Sequence, residues 1–350
     1  MSREIRRSLA VALLATGPLS TMACDRAPAV PTAKPAASSR LEPPRAPAIP
    51  APEVRATTAN LDAGVRFPAA KRVVAIGDVH GDLDATRAAL RLAGAIDARD
   101  RWVGKDLVVV QTGDQLDRGD QEREILDLFE KLALDALAAG GRFLALNGNH
   151  EVMNVGADFR YVTAPGFAEF AEFAIGTTPP RELPEHARGR FVAFAPGSVY
   201  ARQLAQRPTV AIVGDTLFAH GGVLPQHVAY GLGRINAEVS AWMKGERPAL
   251  PTPMQGDDAP VWTRLYGEPN PDASACATLG QVLSQLRVKR LVVGHTVQKS
   301  GISSACGETV FRIDVGLARY YGKKPAQVLE IQGDRTKVLE DKSVDAAPVR

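Results

Sequence analysis

Short apolar runs alternate with amphipathic stretches from Arg72 onward. The run "RVVAIGD" at 72–78 predicts a buried strand that stops at Gly77-Asp78. "ATRAALRLAGA" after it has helical spacing, and "DLVVVQTGD" at 106–114 predicts a second strand ending on the same Gly-Asp pair. Residues 121–139 predict a long amphipathic helix with Ile125, Leu128, Leu132 and Leu137 near one face. "RFLALNGNH" at 142–150 predicts a third strand, and further strand signals lie at 209–222 and 290–296. The stretches 309–316, 326–334 and 336–340 predict hairpin strands of a sheet.

Several of these strands run directly into Gly, Asp, Asn or His. In α/β folds the loops beyond the strand ends carry the chemistry, so such loops converging would build one site. Two long stretches, about 152–208 and 223–288, predict insertions that cap this site and shape a substrate groove.

Composition sets the frame. The chain has 350 residues, 45% of them hydrophobic and 23% charged, enough for one large domain with a sizeable core. The formal charge is +3, and Lys and Arg are scattered, which argues against a nucleic-acid partner.

The two ends predict something other than fold. Arg3, Arg6 and Arg7 precede an apolar stretch from Leu9 to Ala15, followed by Leu19-Ser20-Thr21-Met22-Ala23-Cys24. This is the plan of a secretory signal, too short to span a membrane as a helix. Cys24 after Ala23 resembles a bacterial lipoprotein signal, although Thr21 stands where an aliphatic residue is usual. An ordinary cleavable signal and an uncleaved anchor are the alternatives. The expected organisation is a signal at 1–24, a Pro/Ala-rich tether at 25–66, a catalytic domain at 67–340 and a flexible tail at 341–350. The protein is then exported to the periplasm or cell surface, with a lipid anchor at Cys24 as its membrane contact. Of the three cysteines, Cys276 and Cys306 would remain as a pair for an oxidising compartment.

The chemistry lies in the strand-end motifs. In Gly77-Asp78-Val79-His80-Gly81-Asp82, residues 78 and 80 point the same way along extended chain and can chelate one metal. In Gly113-Asp114-Gln115-Leu116-Asp117-Arg118-Gly119-Asp120, Asp114 ends a strand and can bridge two cations. Arg118 there offers a planar fork for phosphate oxygens. In Gly148-Asn149-His150-Glu151, the Asn149 amide can bind metal while His150 faces substrate. Ala219-His220-Gly221-Gly222 and Gly294-His295-Thr296 each put one His after an apolar strand. A lone His of this kind is more often a core residue. Of six histidines, however, four sit at strand ends: His80, His150, His220 and His295.

The ordered set GDVHGD, GDQLDRGD, GNHE, HGG and GHT resembles the calcineurin-like metallophosphoesterases, and its Asp-Arg-Gly and Asn-His-Glu forms resemble the phosphoprotein phosphatases. Segments at 153–167, 261–267 and 313–322 are similar to the bacterial Shewanella-like phosphatase branch. The resemblance implies a four-layer α/β fold, a β-sandwich flanked by helices with cap insertions. It implies two divalent or transition metal ions (Mn, Fe or Zn), the first held by Asp78, His80 and bridging Asp114. The second would be held by Asp114, Asn149, His220 and His295. His150 would be the general acid, oriented by Asp117, and Arg118 would clamp the phosphate. Arg264 and Arg160 are candidates for a second phosphate-binding arginine. The segment 313–322 shows no clear counterpart of the tyrosine-bearing loop beside the site of eukaryotic relatives.

The expected reaction is hydrolysis of phosphate monoesters by direct attack of a metal-bridging hydroxide, on phosphoprotein Ser/Thr or Tyr. A small-molecule phosphoesterase, such as a dinucleoside polyphosphate hydrolase or phosphodiesterase, is the alternative. A metal-dependent binding protein is a third reading, disfavoured because every ligand type is intact. Asp117 before Arg118 favours the phosphoprotein reading, because it supplies a partner for His150.

Overall fold

The computed structural model describes residues 64–322 and 324–341. The proposed signal, Cys24, most of the tether and residues 342–350 lie outside the described residues. Folded chain begins earlier than the expected boundary at 66. Val65 is fully buried, and Arg66–Phe67 (β1) pairs with a strand of the core.

The first half of the domain builds one sheet. Val73–Ile76 (β2), Val108–Gln111 (β3) and Arg142–Ala145 (β4) are parallel neighbours, joined by helices Leu83–Leu92 (α1) and Glu122–Ala138 (α2). Short helices follow at Asn149–Val155 (α3), Ala164–Ala168 (α4), Arg188–Phe194 (α5) and Val199–Leu204 (α6). The run at 209–222 divides at Gly214-Asp215 into an antiparallel hairpin, Val210–Val213 (β5) and Thr216–Ala219 (β6). Helices Pro225–Tyr230 (α7), Leu232–Met243 (α8) and Ala273–Leu286 (α9) lead to Arg290–Val293 (β7), Ser303–Ala305 (β8) and Val310–Arg312 (β9). Gln327–Gln332 (β10) and Arg335–Glu340 (β11) close the described chain.

These strands form two mixed sheets, ordered β1-β5-β6-β7-β9-β8 and β11-β10-β2-β3-β4. Alternation along each strand explains the layering. Val73, Ala75, Val108 and Val110 face inward and pack with Ala211, Phe218, Val292 and Phe311 of the other sheet. Val74, Ile76 and Val109 face the opposite way and pack with Leu90, Ile125 and Leu132 of α1 and α2. Because both faces are covered, the central strands read as continuous apolar runs rather than alternating ones. On the far side Leu217, Leu291 and Val293 meet Leu204, Val239, Leu279 and Val282. The order is helices, sheet, sheet, helices. The stretches 152–208 and 223–288 thus supply a helical layer as well as reaching the site.

Two expectations change. Leu137 is 59% exposed, while Leu126 and Phe129 are buried beside Ile125 and Leu132. At about 100° per residue, position 137 has rotated about a third of a turn from Ile125. The 309–316 run pairs parallel with β7 in the six-stranded sheet, and only β10 and β11 form the terminal hairpin. The expected Cys276–Cys306 pair is a disulfide, its Cα atoms 5.2 Å apart, tying α9 to the turn after β8.

Candidate metal centre and active site

Strands β2, β3, β4, β6 and β7 deliver the residues beyond their C-terminal ends to one buried cluster. Asp78, His80, Asp114, Asn149, His150, His220 and His295 are all buried. Several ligand-bearing loops adopt backbone that side chains rarely favour: φ is positive at His80, Asp114, Asp117, Arg118 and His295. Such residues cost about 1–3 kcal/mol each and persist where surroundings over-determine them. Glu151 is one such determinant. Its carboxylate accepts from the backbone N–H groups of Asp114, Gln115 and Gly148 at 2.8, 2.8 and 2.7 Å. It thereby ties the second and third motifs together. Packing is tight enough that a Cβ at Gly148 would stand 2.2 Å from Asp114 Oδ1, and one at Gly294 2.3 Å from Asp78 Oδ1. Only glycine lets these carboxylates lie where they do.

Three of the imidazoles each have one nitrogen held by a backbone carbonyl. His80 Nδ1 donates to Leu116 O at 3.0 Å, His220 Nδ1 to Thr112 O at 2.9 Å, and His295 Nε2 to Trp262 O at 3.0 Å. The carbonyl partner fixes the tautomer and turns the other nitrogen's lone pair toward the cluster, the usual arrangement around a metal; at His80 that nitrogen accepts from Arg118. His220 Nε2 lies 3.2 Å from Asp114 Oδ2 and 2.9 Å from Asn149 Oδ1. His80 Nε2 and His150 Nε2 each lie 3.7 Å from the same Asp114 oxygen. Two groups can hold a metal: His80, Asp114 and His150, and Asp114, His220 and His295, ligand atoms within 4.8 Å of one another. Asp114 is common to both, as its proposed bridging role requires. The first group contains His150 where the resemblance implies Asp78. Asp78 instead accepts from the His295 backbone N–H at 3.1 Å, and the Asp314 carboxyl stands close enough to act on its charge.

Electrostatics fit a cation. Burial, then Asp314 and Asp114, push the Asp78 carboxyl well above its ordinary range. Burial acts against ionised Asp114 too, but His220 and His150 outweigh it and hold this carboxyl well below the usual value. Burial lowers His80 to about 3 and His295 to about 2, so both imidazoles are neutral and able to ligate. One oxygen of buried Asp314 has no hydrogen-bond partner among the described residues. Carboxylate, amide and imidazole donors without thiolate suit Mn, Fe or Zn.

The substrate side is built from the second motif and the insertions. His150 Nδ1 meets Asp117 Oδ2 at 2.5 Å, so Nε2 points to the cluster. Burial opposes the imidazolium, yet Asp114 and the bonded Asp117 raise the His150 pKa above its ordinary value. Arg118 Nη1 donates to His80 Nε2 at 2.9 Å and to the Tyr321 hydroxyl. Its guanidinium lies 5.2 to 5.7 Å from the ring centroids of Tyr161, Tyr320 and Tyr321. A tyrosine from 313–322 therefore does reach the site, contrary to expectation. Asp82 explains its placement: it caps α1 and accepts from the Arg319 backbone N–H at 2.8 Å. Arg264 Nη1 donates to His295 O at 3.1 Å, beside the cluster. Arg160 is exposed and forked onto Asp158 at 2.9 and 2.5 Å.

The sequence reading missed Asp314, Tyr161, Tyr321, Asn154 and Arg190. Only Asp314 carried a signal, as another acid at the end of an apolar run in 309–316.

The comparisons agree with this geometry. The calcineurin-like phosphoesterase family profile matches residues 71–299. Shewanella-like protein phosphatase 2 of Arabidopsis thaliana is 42% identical over 77% of this chain and 77% of its own. Shewanella-like protein phosphatase 1 of Plasmodium berghei is 28% identical over 77% of this chain and 74% of its own. Among solved structures, a cold-active protein tyrosine phosphatase is 26% identical with TM-score 0.66, covering 78% of this chain and 77% of that one.

Proposed function

The chain belongs to the calcineurin-like phosphoesterases and is a phosphoric-ester hydrolase; from that premise we propose that it is a two-metal phosphoprotein phosphatase. The observation that carries the reading is Asp114, whose carboxylate belongs to both candidate metal groups and lies among four imidazoles. Asp78, His80 and Asp114 would hold one ion, and Asp114, Asn149, His220 and His295 the other. When bound, the two ions supply charge neutralisation for the phosphate and a water whose pKa falls toward about 7.

The chain's own residues do the rest. Arg118 binds phosphate oxygens with its fork and is kept in place by the tyrosines around it. Arg264 is placed to add a second contact, beside His295. His150 gives its Nε2 proton to the leaving oxygen, and Asp117 holds the ring and stabilises its charged form.

A protein substrate is supported by the two protein phosphatase relatives, and a tyrosine substrate by the similarity to the cold-active protein tyrosine phosphatase. The aromatic walls of Tyr161 and Tyr320 suit an aryl ester. Export with lipid attachment at Cys24 belongs to the same reading, and the Cys276–Cys306 bridge fits an oxidising compartment. A panel of phosphotyrosine, phosphoserine and phosphothreonine peptides against dinucleoside polyphosphates, with metal-loaded enzyme, tests substrate class. Higher kcat/KM on the peptides is expected; higher kcat/KM on dinucleotides contradicts the reading.

A further inference from the structure

Arg190 is fully buried, carried by α5 within the first long insertion. Its guanidinium packs against the edge-to-face pair Phe170 and Phe194, 5.2 and 5.1 Å from the ring centroids. Taking a charge into such a place is costly unless it is fully paired, so packing alone does not account for it. Every edge of the fork is used. Nε donates to Asn154 Oδ1 at 2.7 Å and Nη1 to Gly166 O at 3.0 Å. Nη2 lies 2.5 Å from Glu122 Oε2 and donates to Asp117 Oδ1 at 3.3 Å.

The two Asp117 oxygens have separate tasks. Oδ2 meets His150, whereas Oδ1 accepts from Asn154 Nδ2 at 3.0 Å and from Arg190. Rotation about a carboxylate's terminal torsion is soft. A carboxylate held at one oxygen only would swing and carry the imidazole with it. Bonds on Oδ1 remove that freedom. Glu122, paired with Arg190, also accepts from the Asp117 backbone N–H at 2.9 Å. The network therefore fixes both ends of this residue.

We infer that Arg190 is a positioning residue for ester cleavage, locking Asp117 through Oδ1 so that His150 stays aimed at the leaving oxygen. This rests on His150 being the acid of the proposed function.

The test is steady-state kinetics of metal-loaded full chain on phenyl phosphate and 4-nitrophenyl phosphate, whose leaving groups differ in need for a proton. Arg190→Met is expected to lower kcat on phenyl phosphate by roughly 10- to 100-fold, the usual loss for an outer partner. The loss on 4-nitrophenyl phosphate is expected to be smaller, with KM and metal content unchanged. Arg190→Lys, a charge without the fork, should fall between. Added to His150→Asn, Arg190→Met should cause no further leaving-group-dependent loss. Should Arg190→Met not fold, as read by circular dichroism, Asn154→Asp decides. It keeps the volume, sets a carboxylate against Asp117 Oδ1 and is expected to show the same pattern. Equal losses on both esters in the folded variant, beside a leaving-group-dependent His150→Asn, overturn the proposal alone. Equal losses in His150→Asn itself overturn the acid reading and the proposal with it.

Discussion

His150 Nδ1 lies 2.5 Å from Asp117 Oδ2, and both side chains are sealed from solvent. This bond decides which nitrogen of His150 faces the metal cluster. It predicts that His150→Asn keeps both metals and lowers turnover by ~10²–10⁴, the usual contribution of a general acid. The loss should be smaller for 4-nitrophenyl than for phenyl phosphate. A variant with unchanged phenyl phosphate turnover would remove His150 from the reaction.

Arg118 is enclosed by three tyrosines and aimed at the cluster, whereas Arg160 is spent on Asp158. A charge-assisted hydrogen bond contributes about 1.5–3 kcal/mol. Arg118→Lys, which loses the fork, should therefore lower kcat/KM by roughly 10- to 150-fold. Arg264→Ala should raise KM more than Arg160→Ala. The reverse order in substrate titrations would make Arg160 the second phosphate contact.

Strand-to-loop junctions were legible because they are local. An apolar run ending in Gly-Asp shows in the chain itself, and so His80, Asp114, His220 and His295 could be named. Arg190 could not, because nothing near it in sequence reveals that α5 brings it to Asp117, 73 residues away. Tyr321 was missed for a related reason: its place depends on Asp82 holding Arg319 across 237 residues. The neighbours of β9, parallel β7 and antiparallel β8, are not legible because a short apolar run does not state its neighbour. Leu137 was put on the buried face because it is apolar, although the helix carries it outward.

Glu169 sits against Glu124 and Glu122. Burial, a hydrogen bond with the Glu124 side chain and the Glu122 charge raise its pKa from 4.5 to about 8. The folded state thus holds this proton more tightly than the unfolded chain. Its contribution to stability is present at low pH and is lost as pH rises from about 4.5 to about 8. Glu169→Gln, which has no proton to lose, should gain thermal midpoint relative to the parent across that window. Parallel midpoint-versus-pH curves for the two proteins would contradict this.

The Cys276–Cys306 bridge closes a separation of 30 residues. In the chain-entropy model such a loop stabilises by ~3–4 kcal/mol. The Cys276→Ser, Cys306→Ser double variant should show a lower urea midpoint. An unchanged midpoint would mean the bridge does not constrain the unfolded chain.

Asp114→Asn tests the two-metal account most directly, because Asp114 alone belongs to both candidate metal groups. Bound metal per chain, by inductively coupled plasma mass spectrometry, is measured alongside phosphatase turnover for parent and variant. The account predicts two ions per active parent chain, and loss of metal together with loss of turnover in Asp114→Asn. A variant that retains two ions and near-parental turnover, or a parent fully active without metal, would contradict it.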